Sequence, residues 1–158
     1  MSGPSSLQDF AGLWQVDRVI DDARAGQRIT GQGQARFTPG ADLAELVYDE
    51  DMVLSLPGQC QPLRGTRRYL WAELAGDIEI RFEDGRRLQR ISLKTAPVRD
   101  VHLCDPDRYD GQYRFGDWPL WQAIWRVTGP RKDYVMTSTY RRNAQNHWIK
   151  QGLARQPR

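Results

Sequence analysis

Ten side chains capable of chemistry recur along this chain at spacings that place them on inner strand faces: Arg18, Glu50, Arg67, Tyr69, His102, Cys104, Tyr113, Tyr134, Tyr140 and Arg142. Guanidinium and phenol groups together suit a polar or anionic small molecule. Charges taken from water cost several kcal/mol each unless paired. The set therefore has two readings. It is either an internal network, with Arg18 paired to Glu50, or a wet pocket.

His102 and Cys104 share one strand face, about 7 Å apart. With Asp105 or Asp107 they suggest a metal site only weakly, because no second ligand cluster exists, and no metal or cofactor is assigned. A Cys–His nucleophile pair lacks an orienting third group. His102 reads better as an acid–base group beside Tyr113 or Tyr134. Arg18, Glu50, Arg67, Tyr69, Cys104, Lys132 and Tyr140 are the candidate ligand-binding residues. Lys132 belongs to Arg131-Lys132-Asp133 at a hairpin tip, where it either is a solvated turn residue or guides an anion into a barrel mouth.

The elements that must hold these residues are strands. Trp121, Ala123, Trp125 and Val127 recur at a spacing of two, as do Tyr134, Met136, Ser138, Tyr140 and Arg142, and Gly129-Pro130 turns the chain between them. Similar alternation predicts strands over 13–20, 28–38, 43–50 with 52–56, 63–74, 78–82, 88–94, 101–104 and 109–115. Asp84-Gly85 is a hairpin signal. Gly31 and Gly33 suggest a bend in the second strand. Ser6 to Phe10 predicts one short helical turn. Eight to ten short strands with regular turns and no long helix give an all-β antiparallel barrel or sandwich.

The chain has 158 residues, 39% hydrophobic and 27% charged, with a net charge of +3. That is one domain with one core. Residues 1–5 read as a flexible tail, 6–142 as the barrel, and 143–158 as a partly ordered C-terminal segment. No apolar run reaches the ~20 residues of a membrane helix, and the start has no secretory signal. Two cysteines, Cys60 and Cys104, favour a reduced, cytoplasmic protein. The cations are mostly Arg, spread among acids without a basic stripe, so no nucleic acid is expected.

Gly12-Leu13-Trp14 resembles the glycine-x-tryptophan start of lipocalins and other calycins. With Arg18, Tyr48 and Glu50, Arg67-Arg68-Tyr69, His102-Leu103-Cys104, Asp107-Arg108-Tyr109, Gly129 to Tyr134, and Tyr140-Arg141-Arg142, the chain resembles an uncharacterised family of small bacterial and fungal proteins. The resemblance implies a calycin-like barrel from about Leu7 to Arg142, and no activity. In calycins an arginine of the last strand covers the first-strand tryptophan, which implies that Arg142 closes one barrel end over Trp14. The functional expectation is a small-molecule-binding protein, monomeric or homodimeric, for an anionic or polar ligand. One alternative is a cofactor-independent isomerase, cyclase or hydrolase using His102. Another is a structural or partner-binding domain whose barrel is filled.

Overall fold

The computed structural model describes residues 3–142. The expected C-terminal segment and residues 1–2 lie outside the described residues. Ten strands follow a short 3-10 turn at Leu7–Phe10: β1 Gly12–Asp22, β2 Gln27–Pro39, β3 Glu45–Ser55, β4 Leu63–Leu74, β5 Asp77–Phe82, β6 Arg87–Ile91, β7 Val98–Cys104, β8 Asp107–Arg114, β9 Trp121–Gly129 and β10 Lys132–Arg142. They form one antiparallel sheet in the order β6-β5-β4-β3-β2-β1-β10-β9-β8-β7. Every chain neighbour except β6–β7 is a ladder neighbour, and β1 pairs with β10 to bring the two halves together. The result is a nearly closed barrel whose seam lies between β6 and β7. No helix among the described residues is long and apolar enough to cross a membrane.

Strand phase decides what fills the barrel. In β1, Trp14, Val16 and Arg18 are buried, while Gln15 is exposed and Asp17 partly so. In β3, Leu46, Tyr48, Glu50 and Met52 are buried in strict alternation. The two stretches expected at 43–50 and 52–56 are one continuous strand, since Asp51 keeps the alternation and pairs with Gln34. The β5–β6 hairpin turns at Asp84-Gly85, where Gly85 takes φ = 91°, a conformation that favours glycine. The register of this pair shifts at Ile80/Arg81, a bulge.

One barrel end is an aromatic cluster. Phe10, carried in by the 3-10 turn, is fully buried and touches the rings of Phe37, Trp71, Phe115, Trp118 and Trp121. The indole N–H of Trp14 donates to the Phe10 carbonyl (2.8 Å). The Arg142 guanidinium lies 3.8 Å from the Trp14 ring centroid. It also donates to the carbonyls of Ala11 (2.8 Å) and Asp9 (2.6 Å). Arg142 thus ties the last strand to the turn before the first. Arg142→Ala should cost about 1–2 kcal/mol in urea unfolding, from the lost cation–π contact and two hydrogen bonds. Arg142→Lys should recover less than half of it, because an ammonium cannot lie flat and reach both carbonyls. Full recovery by Lys would show that only the charge matters.

Candidate functional site

Two hydrogen-bonded networks cross the barrel interior. The first is centred on Arg18. Its Nη1 and Nη2 donate to Glu50 Oε1 and Oε2, both at 2.8 Å, and its Nε donates to Ser138 Oγ at 2.8 Å. The Tyr48 hydroxyl donates to Glu50 Oε2 (2.5 Å) and lies 2.9 Å from the Tyr140 hydroxyl. Burial alone would lower the Arg18 pKa, but the Glu50 bonds outweigh it and hold the guanidinium above its ordinary range. Burial pushes Glu50 upward, and the Arg18 bonds more than reverse this, leaving the carboxyl below its ordinary value. Burial also raises the Tyr48 and Tyr140 phenols. The pair is ionised and internally neutral.

The second network bridges the seam. Trp125 Nε1 donates to the Tyr113 hydroxyl (3.0 Å), which donates to Gln89 Oε1 (2.8 Å). Gln89 Nε2 donates onward to the carbonyls of Asp100 (3.2 Å) and Tyr109 (3.4 Å). The Arg90 backbone N–H donates to Asp100 Oδ2 (2.7 Å). Side chains therefore replace a backbone ladder between β6 and β7. Burial raises the Tyr113 phenol.

Between these networks lies a cavity of about 30 Å³, lined by Arg18, Tyr48, Arg67, Tyr69, Trp121 and Tyr140 among others. That volume is one water's share of the liquid. The large aromatic residues occupy the space that a wide internal pocket would need. Tyr140 stacks on Trp121 with ring centroids 3.9 Å apart. Arg67 is exposed and marks the open side of the cavity. Its Nη1 donates to the Tyr69 hydroxyl (3.3 Å), and it forms no ion pair within 4.0 Å among the described residues. Tyr134 stands where the charges of Arg67 and Lys132 act on it; burial raises its phenol and Arg67 opposes the rise. Lys132 is held by Asp107 (2.9 Å) beside the Tyr109 ring.

Of the residues singled out in the sequence, the structure gathers Arg18, Glu50, Arg67, Tyr69, Tyr113 and Tyr140 around the cavity. Tyr134 and Lys132 lie towards the open side. His102 and Cys104 do not line it. They are half-buried on edge strand β7, across from Tyr109 and Asp107. Trp14 and Arg142 lie at the aromatic end. Among the described residues, no three His, Cys, Asp or Glu side chains converge as a metal site would require.

Sequence reasoning passes over Gln89 and sets Trp121 and Trp125 only in strand phase. The signal for Gln89 was its phase with Ile91, which is buried beside it. Nothing in the sequence marks Trp121 Nε1, the buried side-chain polar atom left without a partner among the described residues.

A family model matches residues 10–142. The chain belongs to DUF6314, a family of unknown function. Among curated proteins, none matches the sequence. An S-type phycobiliprotein lyase from Guillardia theta superposes on this DUF6314 chain with a TM-score of 0.55. The match covers 85% of this chain and 90% of that one, at 10% identity. At that identity the likeness is one of fold, a calycin-like barrel.

Proposed function

We propose that this protein binds a small anionic or polar molecule at the open side of its barrel, with Arg67 as the recognition centre. The observation that carries the reading is the contrast between two inward-facing arginines. Arg18 is fully engaged by Glu50 and Ser138. Arg67 faces Glu50 across the β3–β4 ladder but makes no ion pair within 4.0 Å among the described residues. It stands at the opening with one side-chain hydrogen bond among those residues, to Tyr69. Arg18, Glu50, Tyr48 and Tyr140 then form a rigid floor. Tyr134, whose phenol feels the Arg67 charge, adds a hydroxyl near the rim, while the Lys132 charge is taken up by Asp107. The shared fold with a phycobiliprotein lyase supports a small-molecule role without naming the ligand. We infer a cytoplasmic protein, monomeric or homodimeric, with Cys60 and Cys104 as free thiols.

A thermal-shift and native mass spectrometry screen of carboxylates, phosphates and their neutral amides tests this. Anions should raise the melting temperature and their amides should not. Arg67→Gln should weaken the best anion tenfold or more, the scale of a charge-assisted hydrogen bond. Unchanged affinity in Arg67→Gln would end the reading.

A second reading is favoured by the small cavity: a filled barrel acting as a structural or partner-binding domain. It predicts that no small molecule in the screen shifts the melting temperature.

A further inference from the structure

The barrel interior is too small for a whole ligand, and a larger space lies outside it. A groove of about 880 Å³ runs along the aromatic end, against about 30 Å³ inside. It is bounded by residues 3–5, by the connection from β6 into β7, and by the turn from β8 into β9. Small-molecule clefts fall at roughly 300–1,000 Å³. Arg67 does not line this groove, so what binds here is independent of the anion site proposed above.

The walls are held by their own hydrogen bonds. Ser5 donates its N–H (2.8 Å) and its hydroxyl (3.1 Å) to Asp9 Oδ2, which fixes the N-terminal wall. Gly3 rests on Phe115, where an added Cβ would approach the Phe115 Cβ to 3.0 Å. The Thr95 hydroxyl donates to the Ser92 carbonyl (3.4 Å) in the connection before β7. The Trp118 and Leu120 N–H groups donate to the carbonyls of Phe115 (3.1 Å) and Asp117 (3.0 Å). A ligand therefore meets a formed surface and orders little of it on binding.

Two kinds of group line the groove. Pro4, Leu93, Pro97, Val98, Phe115 and Leu120 supply apolar surface. Leu93, Val98 and Phe115 pack against the core on one side and stay partly open on the other. Lys94 and Arg114 are exposed, and neither forms an ion pair among the described residues. Elsewhere on the outer surface Arg99 is tied to Asp110, and Arg86 to Asp84. Asp117 also lines the groove, so two cations stand against one acid and leave one net positive charge.

We propose that this groove binds an amphipathic monoanion, a monocarboxylate with a hydrocarbon body. The carboxylate is drawn to the Lys94 and Arg114 charges, and the body lies along the apolar wall. Its single charge matches the net charge of the lining. A multiply charged anion would meet Asp117, and a plain hydrocarbon would leave both cations unused.

Octanoate, 1-octanol and acetate test this, read through methyl NMR of the full chain. The Leu93, Val98 and Leu120 methyls report the groove, and the Met136 methyl reports the barrel cavity. Octanoate should move the groove methyls with a Kd below about 1 mM. 1-Octanol lacks the charge and should bind about tenfold more weakly. Acetate lacks the body and should leave these methyls unmoved. Lys94→Gln/Arg114→Gln, at two exposed positions, should bring octanoate down to the affinity of 1-octanol. Arg67→Gln should change none of this. The inference is wrong if octanoate leaves the groove methyls unmoved, binds no better than 1-octanol, or binds the double variant unchanged. If octanoate moves only Met136 and Arg67→Gln abolishes that, the anion site at the opening stands and the groove inference falls. If the groove methyls respond as expected while the Arg67-dependent screen is blank, the groove inference stands and the Arg67 reading falls.

Discussion

Glu50→Gln is expected to destabilise the protein by about 3–5 kcal/mol, because it leaves the Arg18 guanidinium buried without a counter-charge. Arg18 and Glu50 are 6% and 5% exposed, so water cannot take over the lost interaction. The double variant Arg18→Met/Glu50→Leu should lie within about 1–2 kcal/mol of wild type, since apolar residues of similar volume remove both charges at once. Urea unfolding measures both: the midpoint should move while the slope stays constant. A loss under 1 kcal/mol in Glu50→Gln would mean that Arg18 finds another partner. The pH dependence has a definite sign. The folded-state pKa of Glu50 lies below its ordinary value of 4.5. The stabilisation from this carboxylate is therefore complete above that value and is lost as pH falls through the folded-state pKa. Glu50→Gln should flatten that acid limb.

Gly111→Val is the other substitution with a large expected effect. Gly111 lies on β8 directly beneath the Gln89 amide, and any Cβ there would collide with Gln89 Oε1, Cδ and Nε2. A flexible surface glutamine would swing away at little cost. Gln89 cannot, because it is 1% exposed and its amide holds Tyr113 and two backbone carbonyls across the seam. Displacing it leaves several buried groups unpaired, each worth about 1–3 kcal/mol. We expect a loss of about 3 kcal/mol for Gly111→Val and of about 2 kcal/mol for Gln89→Ala. The combined Gly111→Val/Gln89→Ala protein should be markedly more stable than the sum of the two predicts, because the collision is gone. Simple additivity would show that Gly111 is needed for some other reason.

The sheet was legible because period-two alternation marks almost every element, with Asp84-Gly85 and Gly129-Pro130 marking two of the hairpin turns. The expected strand at 63–74 coincides with β4, and the plug of Arg142 on Trp14 stands where the calycin resemblance put it. Phase also placed Arg18 and Glu50 on facing surfaces. What phase cannot say is how far along the barrel a residue lies. His102 has the phase of Val98, which pairs with buried Tyr113, yet sits four residues further along an edge strand and away from the cavity. Nor does alternation reveal how much volume side chains consume. The pocket expected from polar residues is narrowed by Trp121, Trp125 and Tyr140, whose sizes matter only once the barrel's radius is known. Gln89 escaped notice for a related reason, since its role exists only because β6 and β7 lack a ladder.

That missing ladder sits where the chain tolerates it best. Joining two strands costs conformational entropy that grows with the logarithm of the intervening length. For the 120 residues between Arg18 and Ser138 the length-dependent part is about 4 kcal/mol, and for the eleven between Gln89 and Asp100 about 2. The long closure, β1 with β10, carries nine consecutive paired positions from Trp14–Arg142 to Asp22–Tyr134. The short one is held by an amide and a carboxylate. Local hairpins can therefore form early on either side of the chain's midpoint. The β1–β10 joint, with its arginine plug, then closes late, so that weakening it hastens unfolding more than it slows folding.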